Sequence, residues 1–241
     1  MAHLFFGSKI DDYNIILDES EVKHCQQVLR HRVGDLVEVT CGDGQILEGR
    51  IEEISKKSVR LDLLRVIEDH SERPYLWLVV APTKNQARIE WLIEKGTELG
   101  LRRFTPIVTA HSEKPRIRKD RLERIALAGV KQSRKGWLPV IDEMMTLEEL
   151  LVSAEHEKIK TRFIGYCGEF EKRNLTEDYA PGSDVIVLIG PEGDFSEKEV
   201  ELAREKGFAA LDLGPDRFRT ETAGMHIISF IYEVNRHAKI F

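Results

Sequence analysis

The chain has 241 residues, 41% of them hydrophobic and 32% charged, which supports one large domain or two modest ones. No run approaches the roughly 20 apolar residues needed to span a bilayer, and the N-terminus lacks the basic start and apolar stretch of a secretion signal. Cys25, Cys41 and Cys167 form no CxxC pair and no metal-ligand cluster with histidine, so they read as buried free thiols in a reducing cytoplasm.

The formal net charge of -6 is unevenly spread. Residues 73–140 carry 15 basic and 6 acidic side chains, and both flanks are acidic. One basic third in an acidic protein points to a directed anionic partner. A solvated face laced with salt bridges is the plainer alternative.

Residues 1–70 read mostly as strands. His3–Gly7 and Tyr13–Leu17 are short apolar runs. Asp18 with Glu21 predicts a helix start, with Val22, Cys25, Val28 and Leu29 as its apolar stripe. Leu36–Thr40 leads into the turn Cys41–Gly44, and Gln45–Glu53 and Ser58–Val66 alternate as strands. This is the pattern of a small barrel. Glu68–Pro74 is polar, ends in proline, and predicts a linker.

Beyond the linker, strands and helices alternate. Leu76–Ala81 is a continuous apolar run, as for a strand buried on both faces. A helical face follows over Ile89–Leu99, then a strand at Phe104–Val108. Helices are predicted over Asp120–Arg134 and Thr146–Ala154, and strands at Arg162–Tyr166 and Val185–Ile189. Such an order implies a mainly parallel sheet covered by helices.

Parallel sheets bind ligands in loops at the carboxyl ends of their strands. Two such loops are unusual here. Gly190-Pro191-Glu192-Gly193-Asp194-Phe195 follows Val185–Ile189 directly, and Ser196 with Glu199 forms a capping box for the next helix. Glycines on either side of Pro191-Glu192 make a stiff loop that a ligand can approach closely; an ordinary strand–helix connection is the alternative. The second loop, Leu213–Ala223, follows the strand Ala209–Leu213 and precedes an apolar-faced helix. Its two arginines, Arg217 and Arg219, stand near a helix start that already favours anions. They fit a loop holding an anion or a polar substrate, or a pair bridging to Glu192 or Glu221. The chain has no GxGxxG after the first strand of the α/β half, no P-loop, no HExxH and no GxSxG, which excludes dinucleotide, P-loop, zincin and nucleophile-elbow readings.

With these loops in place, the sequence resembles the bacterial 16S rRNA uridine N3-methyltransferases, within the knotted (SPOUT) methyltransferase superfamily. The family's GPEGGFS stands here as Gly190–Ser196, and its LG-x-x-x-LR-x-ETA as Leu213–Ala223. His24–Arg30 with Gly34-Asp35, Lys95–Gly100, and Lys131–Arg134 with Leu138-Pro139 match further segments, so the resemblance covers nearly the whole chain. Three positions depart from the pattern. Asp194 replaces a glycine, Phe218 replaces a leucine, and Asp216 stands where an arginine is common, with Arg217 one step along.

The resemblance implies an α/β fold in which residues 75–241 form a C-terminal trefoil-knot domain with a mainly parallel sheet. It also implies a small N-terminal PUA-like β-barrel over residues 1–70, binding RNA. A homodimer, S-adenosyl-L-methionine as cofactor, and N3 of a uridine in 16S rRNA or the small ribosomal subunit as target follow from the same resemblance. A tRNA-directed relative and an inert RNA-binding protein are the rival readings.

The cofactor would lie against Phe163, Gly165 and Tyr166, against Ile189, Gly190, Pro191, Glu192 and Gly193, and against Leu213, Gly214, Phe218, Thr220, Thr222 and Ala223. Arg219 is the first candidate to stabilise negative charge on the uracil ring, and Arg217 the second. Glu221 is expected to orient an arginine or to accept the N3 proton. Phosphate contacts are expected from Arg30, Arg32, Lys84 and Arg88, and from Lys114, Arg116, Arg118 and Arg134. No metal site is expected.

Overall fold

The computed structural model describes residues 3–112 and 116–240. They group into two compact units. The first comprises residues up to Glu72 together with Leu127–Leu138; the second comprises Arg73–Ala126 and the chain from Pro139 onward.

The first unit is a closed barrel of β1 (Leu4–Lys9), β2 (Asn14–Leu17), β3 (Leu36–Thr40), β4 (Gln45–Ile54) and β5 (Val59–Asp69), in the order β1-β2-β5-β4-β3. β1 and β3 close it in parallel, and the other pairs are antiparallel. Alternation points Phe5, Ile15, Val39, Leu47, Ile51, Val59 and Leu61 into one interior cluster. The helix expected after Asp18 is shorter and different in kind. α1 (Glu19–Lys23) passes into a π-turn at His24–Val28. The wider turn rotates the expected stripe: Cys25 stays buried, but Val28 and Leu29 face solvent.

Leu127–Leu138, expected within the second domain, belongs with this barrel. Lys131 Nζ reaches the buried Glu21 carboxylate at 2.5 Å. The Gly136 carbonyl accepts from the Gly44 N–H at 2.9 Å and from the Thr40 hydroxyl at 3.0 Å. The Trp137 indole donates to the His70 carbonyl at 2.8 Å.

The second unit contains β6 (Leu76–Val80), α2 (Gln86–Glu98), β7 (Arg103–Val108), the first half of α3 (Lys119–Ser133), β8 (Val140–Ile141), β9 (Met145–Thr146), α4 (Leu147–Val152), β10 (Thr161–Gly165), β11 (Lys172–Asn174), α5 (Leu175–Asp178), β12 (Val185–Ile189), α6 (Glu197–Glu205), β13 (Ala209–Asp212) and α7 (Thr220–His237). Its strands pair in parallel in the order β11-β13-β10-β12-β6-β7-β8, with β9 on β7. β6 and β12 are buried at every residue, as their continuous apolar runs require.

Alternation along β6 divides the core into two layers. Trp77, Val79 and Ala81 pack into a cluster with Leu147, Leu150 and Leu151 of α4 and Val200 and Ala203 of α6. Leu78 faces α2 and α7: a Cβ on Gly224 would stand 3.1 Å from Leu92 and 3.3 Å from Leu78, and one on Gly96 3.1 Å from Ile228. Small residues let these helices pack closely on the sheet. The strand order leaves β12 and β6 in the middle of the sheet, and α7 returns to pack against both. No described helix is long and apolar enough to cross a membrane.

His156 is fully buried against Phe208, and neither ring nitrogen makes a well-formed hydrogen bond. Burial, reinforced by the nearby Arg162 charge, lowers its pKa below the ordinary 6.5. The folded state therefore binds fewer protons than the unfolded chain once pH falls below that value. Stability present above pH 6.5 is lost as pH falls toward the lowered folded pKa. His156→Leu is expected to flatten the decline in urea-unfolding free energy as pH falls below about 6.5. An identical slope in wild type and variant would remove His156 from that role.

Candidate active site

Strand register assembles the site. Gly165 of β10 pairs with Ile189 of β12 on one side and Leu211 of β13 on the other, and Ile189 also pairs with Val80 of β6. The carboxyl ends of four neighbouring strands are therefore level, and the loops leaving them emerge along one edge. The two loops singled out in the sequence meet there: the Thr220 hydroxyl, at the start of α7, donates to the buried Gly190 carbonyl at 3.1 Å. Phe163 is buried in β10, while Gly165 and Tyr166 are half-buried at its end. Pro191 is half-buried, and Glu192, Gly193, Gly214, Phe218 and Thr222 are exposed along the rim.

The loop after β12 is held at each step. The Asp194 N–H donates to the Pro191 carbonyl at 2.9 Å, closing a tight turn. Phe195 then folds back under Gly190, where a Cβ would stand 3.0 Å from the Phe195 ring. Ser196 and Glu199 cap α6 in the predicted capping box. The other Glu199 oxygen accepts from the Ala110 N–H at 2.8 Å and so fastens the loop after β7. His111 of that loop places Nδ1 3.0 Å from the Asp194 carbonyl. A carbonyl only accepts, so Nδ1 carries the proton.

The charged residues pair differently from the expectation. Asn85 caps α2 by accepting from the Ala87 N–H at 3.1 Å, which sets Arg88 in its first turn. Arg88 Nε lies 3.4 Å from Glu221 Oε1, and its Nη1 lies 3.4 Å from Glu192 Oε1. Arg88, expected at RNA phosphates, is thus engaged by the two site carboxylates. It takes the role expected of Arg217 or Arg219 as the partner of Glu221. Neither Arg217 nor Arg219 forms an ion pair with a described residue; both are exposed just ahead of α7. Glu221 is only 8% exposed, and its Oε2 is a buried acceptor with no partner. The Thr83 hydroxyl, in the loop after β6, is likewise buried without a partner. Unpaired buried polar atoms cost free energy unless something satisfies them, and functional sites are where they persist.

Of the other residues expected at RNA, Arg30, Arg32, Lys84, Arg116 and Arg118 are exposed, and Lys114 lies outside the described residues. Arg134 is half-buried and ion-paired to Glu38 and Glu68 within the barrel unit, which removes it as a free phosphate contact. Of the three thiols expected to be buried, Cys25 is buried, Cys41 is half-buried, and Cys167 is exposed in the loop after β10. Partial desolvation of its sulfur and the adjacent Asp194 carboxylate raise its pKa, so it is not an activated thiolate. Among the described residues no group of His, Cys, Asp and Glu could hold a metal ion.

The chain combines a parallel α/β unit, whose two glycine-bearing loops meet at one sheet edge, with a small closed barrel, the two parts of an RNA methyltransferase. The RNA methyltransferase domain model matches residues 71–232, and the RNA methyltransferase PUA domain model matches residues 17–64. The chain belongs to this RNA methyltransferase family. It is 28% identical to the ribosomal RNA small subunit methyltransferase E of Bacillus subtilis, over 88% of this chain and 86% of that one. A solved "probable rRNA-methyltransferase" from Porphyromonas gingivalis is 36% identical, covers 98% of this chain and 99% of its own, and superposes with a TM-score of 0.84. The fold is shared with a ribosomal RNA small subunit methyltransferase E from Neisseria gonorrhoeae, solved bound to S-adenosyl methionine, at TM-score 0.77 and 23% identity over 97% of this chain and 98% of that one.

Proposed function

We propose that the protein transfers a methyl group from S-adenosylmethionine to N3 of a uridine in 16S ribosomal RNA, acting as a homodimer in the cytoplasm. The observation that carries this reading is the Thr220–Gly190 hydrogen bond, which joins the two loops at one edge of the sheet in a chain of the RNA methyltransferase family. The residues present fit the cofactor. Glycine-rich loop backbone, apolar Phe163 and Ile189, and the unpartnered Glu221 Oε2 and Thr83 hydroxyl offer a mixed apolar and polar surface of the kind nucleosides take. Gly190, Gly193, Leu213 and Gly214 would line the adenosine moiety.

When bound, S-adenosylmethionine supplies a methyl group already activated on sulfur, which leaves the chain placement and charge control. Uridine N3 becomes a good nucleophile only as its proton departs. Negative charge then grows on the two flanking carbonyl oxygens, where Arg219, with Arg217 beside it, would donate hydrogen bonds. Arg88 holds Glu221 in place, so Glu221 acts as a positioning group at the start of α7. N3 is hidden in base pairs, so the target nucleotide must be unpaired or turned out of its stack.

Mass mapping of ribosomal RNA from cells with and without the protein tests the assignment: one uridine should lose 14 mass units, about one methyl group, in the deletion strain. An unchanged 16S map with a changed tRNA map would move the substrate to tRNA. Failure to bind S-adenosylmethionine at millimolar concentration would favour an inert RNA-binding protein. Exposed Arg116 and Arg118 are expected at phosphates. Replacing both with glutamate should weaken RNA binding and lower the slope of log affinity against log salt by about 2. An unaltered slope would move the RNA path off this surface.

A further inference from the structure

Asp194 stands at the junction of three loops. Its φ of +63° lies in the left-handed region, which a glycine enters without strain and an aspartate only at some cost. What aspartate adds is a pair of acceptors. Oδ2 accepts from the Cys167 N–H at 2.9 Å, and Oδ1 accepts from its own neighbour, the Phe195 N–H, at 2.8 Å. Its main chain supplies the other two links, the N–H to the Pro191 carbonyl and the carbonyl to His111 Nδ1. The loops after β7, β10 and β12 therefore all converge on one residue, and only the link to the β10 loop depends on its side chain.

We propose that Asp194 is a positioning residue whose carboxylate latches the Cys167 loop to the Gly190–Gly193 loop and thereby sets the width of the cofactor cleft. The proposal rests on the reading of this edge as the S-adenosylmethionine site. The hydrogen bond from the Cys167 N–H to the Asp194 carboxylate, made before any ligand arrives, means that less loop ordering remains to be done on binding. Without the carboxylate, the β10 loop, with its half-buried Tyr166 and Phe170 rings 5.6 Å apart, has lost its side-chain tie to the turn at Pro191–Asp194. The effect belongs to cofactor binding rather than to the chemical step, because Asp194 touches neither arginine ahead of α7 in any hydrogen bond or ion pair.

Asp194→Gly and Asp194→Asn separate the latch from a general structural role. Glycine takes the backbone conformation freely and deletes both acceptors; asparagine keeps one carbonyl acceptor. For Asp194→Gly, KM for S-adenosylmethionine is expected to rise about tenfold, with kcat at saturating cofactor within about twofold of wild type and the melting temperature nearly unchanged. Asp194→Asn should fall between the two. A wild-type KM in Asp194→Gly overturns the latch, as does an equal loss in kcat and KM accompanied by a lowered melting temperature. Amide hydrogen exchange at Cys167, measured without cofactor, keeps the two readings apart. Faster exchange in Asp194→Gly supports the latch even if the native protein binds no S-adenosylmethionine, and unchanged exchange overturns it whatever the native protein binds.

Discussion

Arg219→Ala is expected to lower methyl transfer by about 10²- to 10³-fold while leaving S-adenosylmethionine affinity within about twofold. The size follows from removing one preorganised donor aimed at charge that develops only in the transition state. Arg219 is free to play that part. It is exposed, makes no ion pair with a described residue, and is set immediately before α7 as the N-cap residue, with its side chain making no cap hydrogen bond. The carboxylate that could have neutralised it, Glu221, is engaged by Arg88 instead. Single-turnover kinetics with RNA carrying the target uridine, alongside calorimetric titration of the cofactor, separate chemistry from binding. Unchanged turnover would take Arg219 out of the reaction and direct attention to Arg217.

Gly136→Ala should destabilise the barrel unit by about 3–5 kcal/mol, the sum of an overpacking cost and two weakened hydrogen bonds. A Cβ there would run into the carbonyl of Gly44, which is backbone and cannot swing aside. Relief requires the two strands of chain to part. That would weaken the bonds from the Gly44 N–H and the Thr40 hydroxyl to the Gly136 carbonyl. Gly44 cannot compensate: its φ is +105°, and a Cβ there would meet the Trp137 indole at 2.7 Å. Urea denaturation followed by tryptophan fluorescence in a Trp77→Phe, Trp91→Phe background, where Trp137 is the one emitter left, reads the effect. A midpoint equal to that of wild type would show that the approach of residues 127–138 to the barrel contributes little.

Much of this was legible locally. Continuous apolar runs marked β6 and β12 because a strand buried on both faces has no polar position to spare. The capping box at Ser196 and Glu199 placed the start of α6, because both reciprocal partners lie within four residues. The two glycine-bearing loops could be picked out because each follows a strand of the sheet directly, and the structure brings them together through the Thr220–Gly190 hydrogen bond. Other elements carried no such mark. β11 is exposed at all three residues, and only its neighbour β13 makes it a strand. The expected helix stripe through Val28 and Leu29 failed because a π-turn widens the helix at His24, and no apolar spacing announces that change.

Chain order and residue type by themselves determined a strand-rich first part and a parallel sheet in the second, since both depend on hydrophobic period and turn chemistry read over a few residues, but not that residues 127–138 join the barrel unit. The tertiary structure alone decided which charges meet. Arg88 and Glu221 are 133 positions apart yet form one pair, and Arg134 leaves the basic third to pair with Glu38 of the barrel. Coulomb energy depends on distance in space, and a linear sequence holds no measure of that distance until the strands have stacked in register.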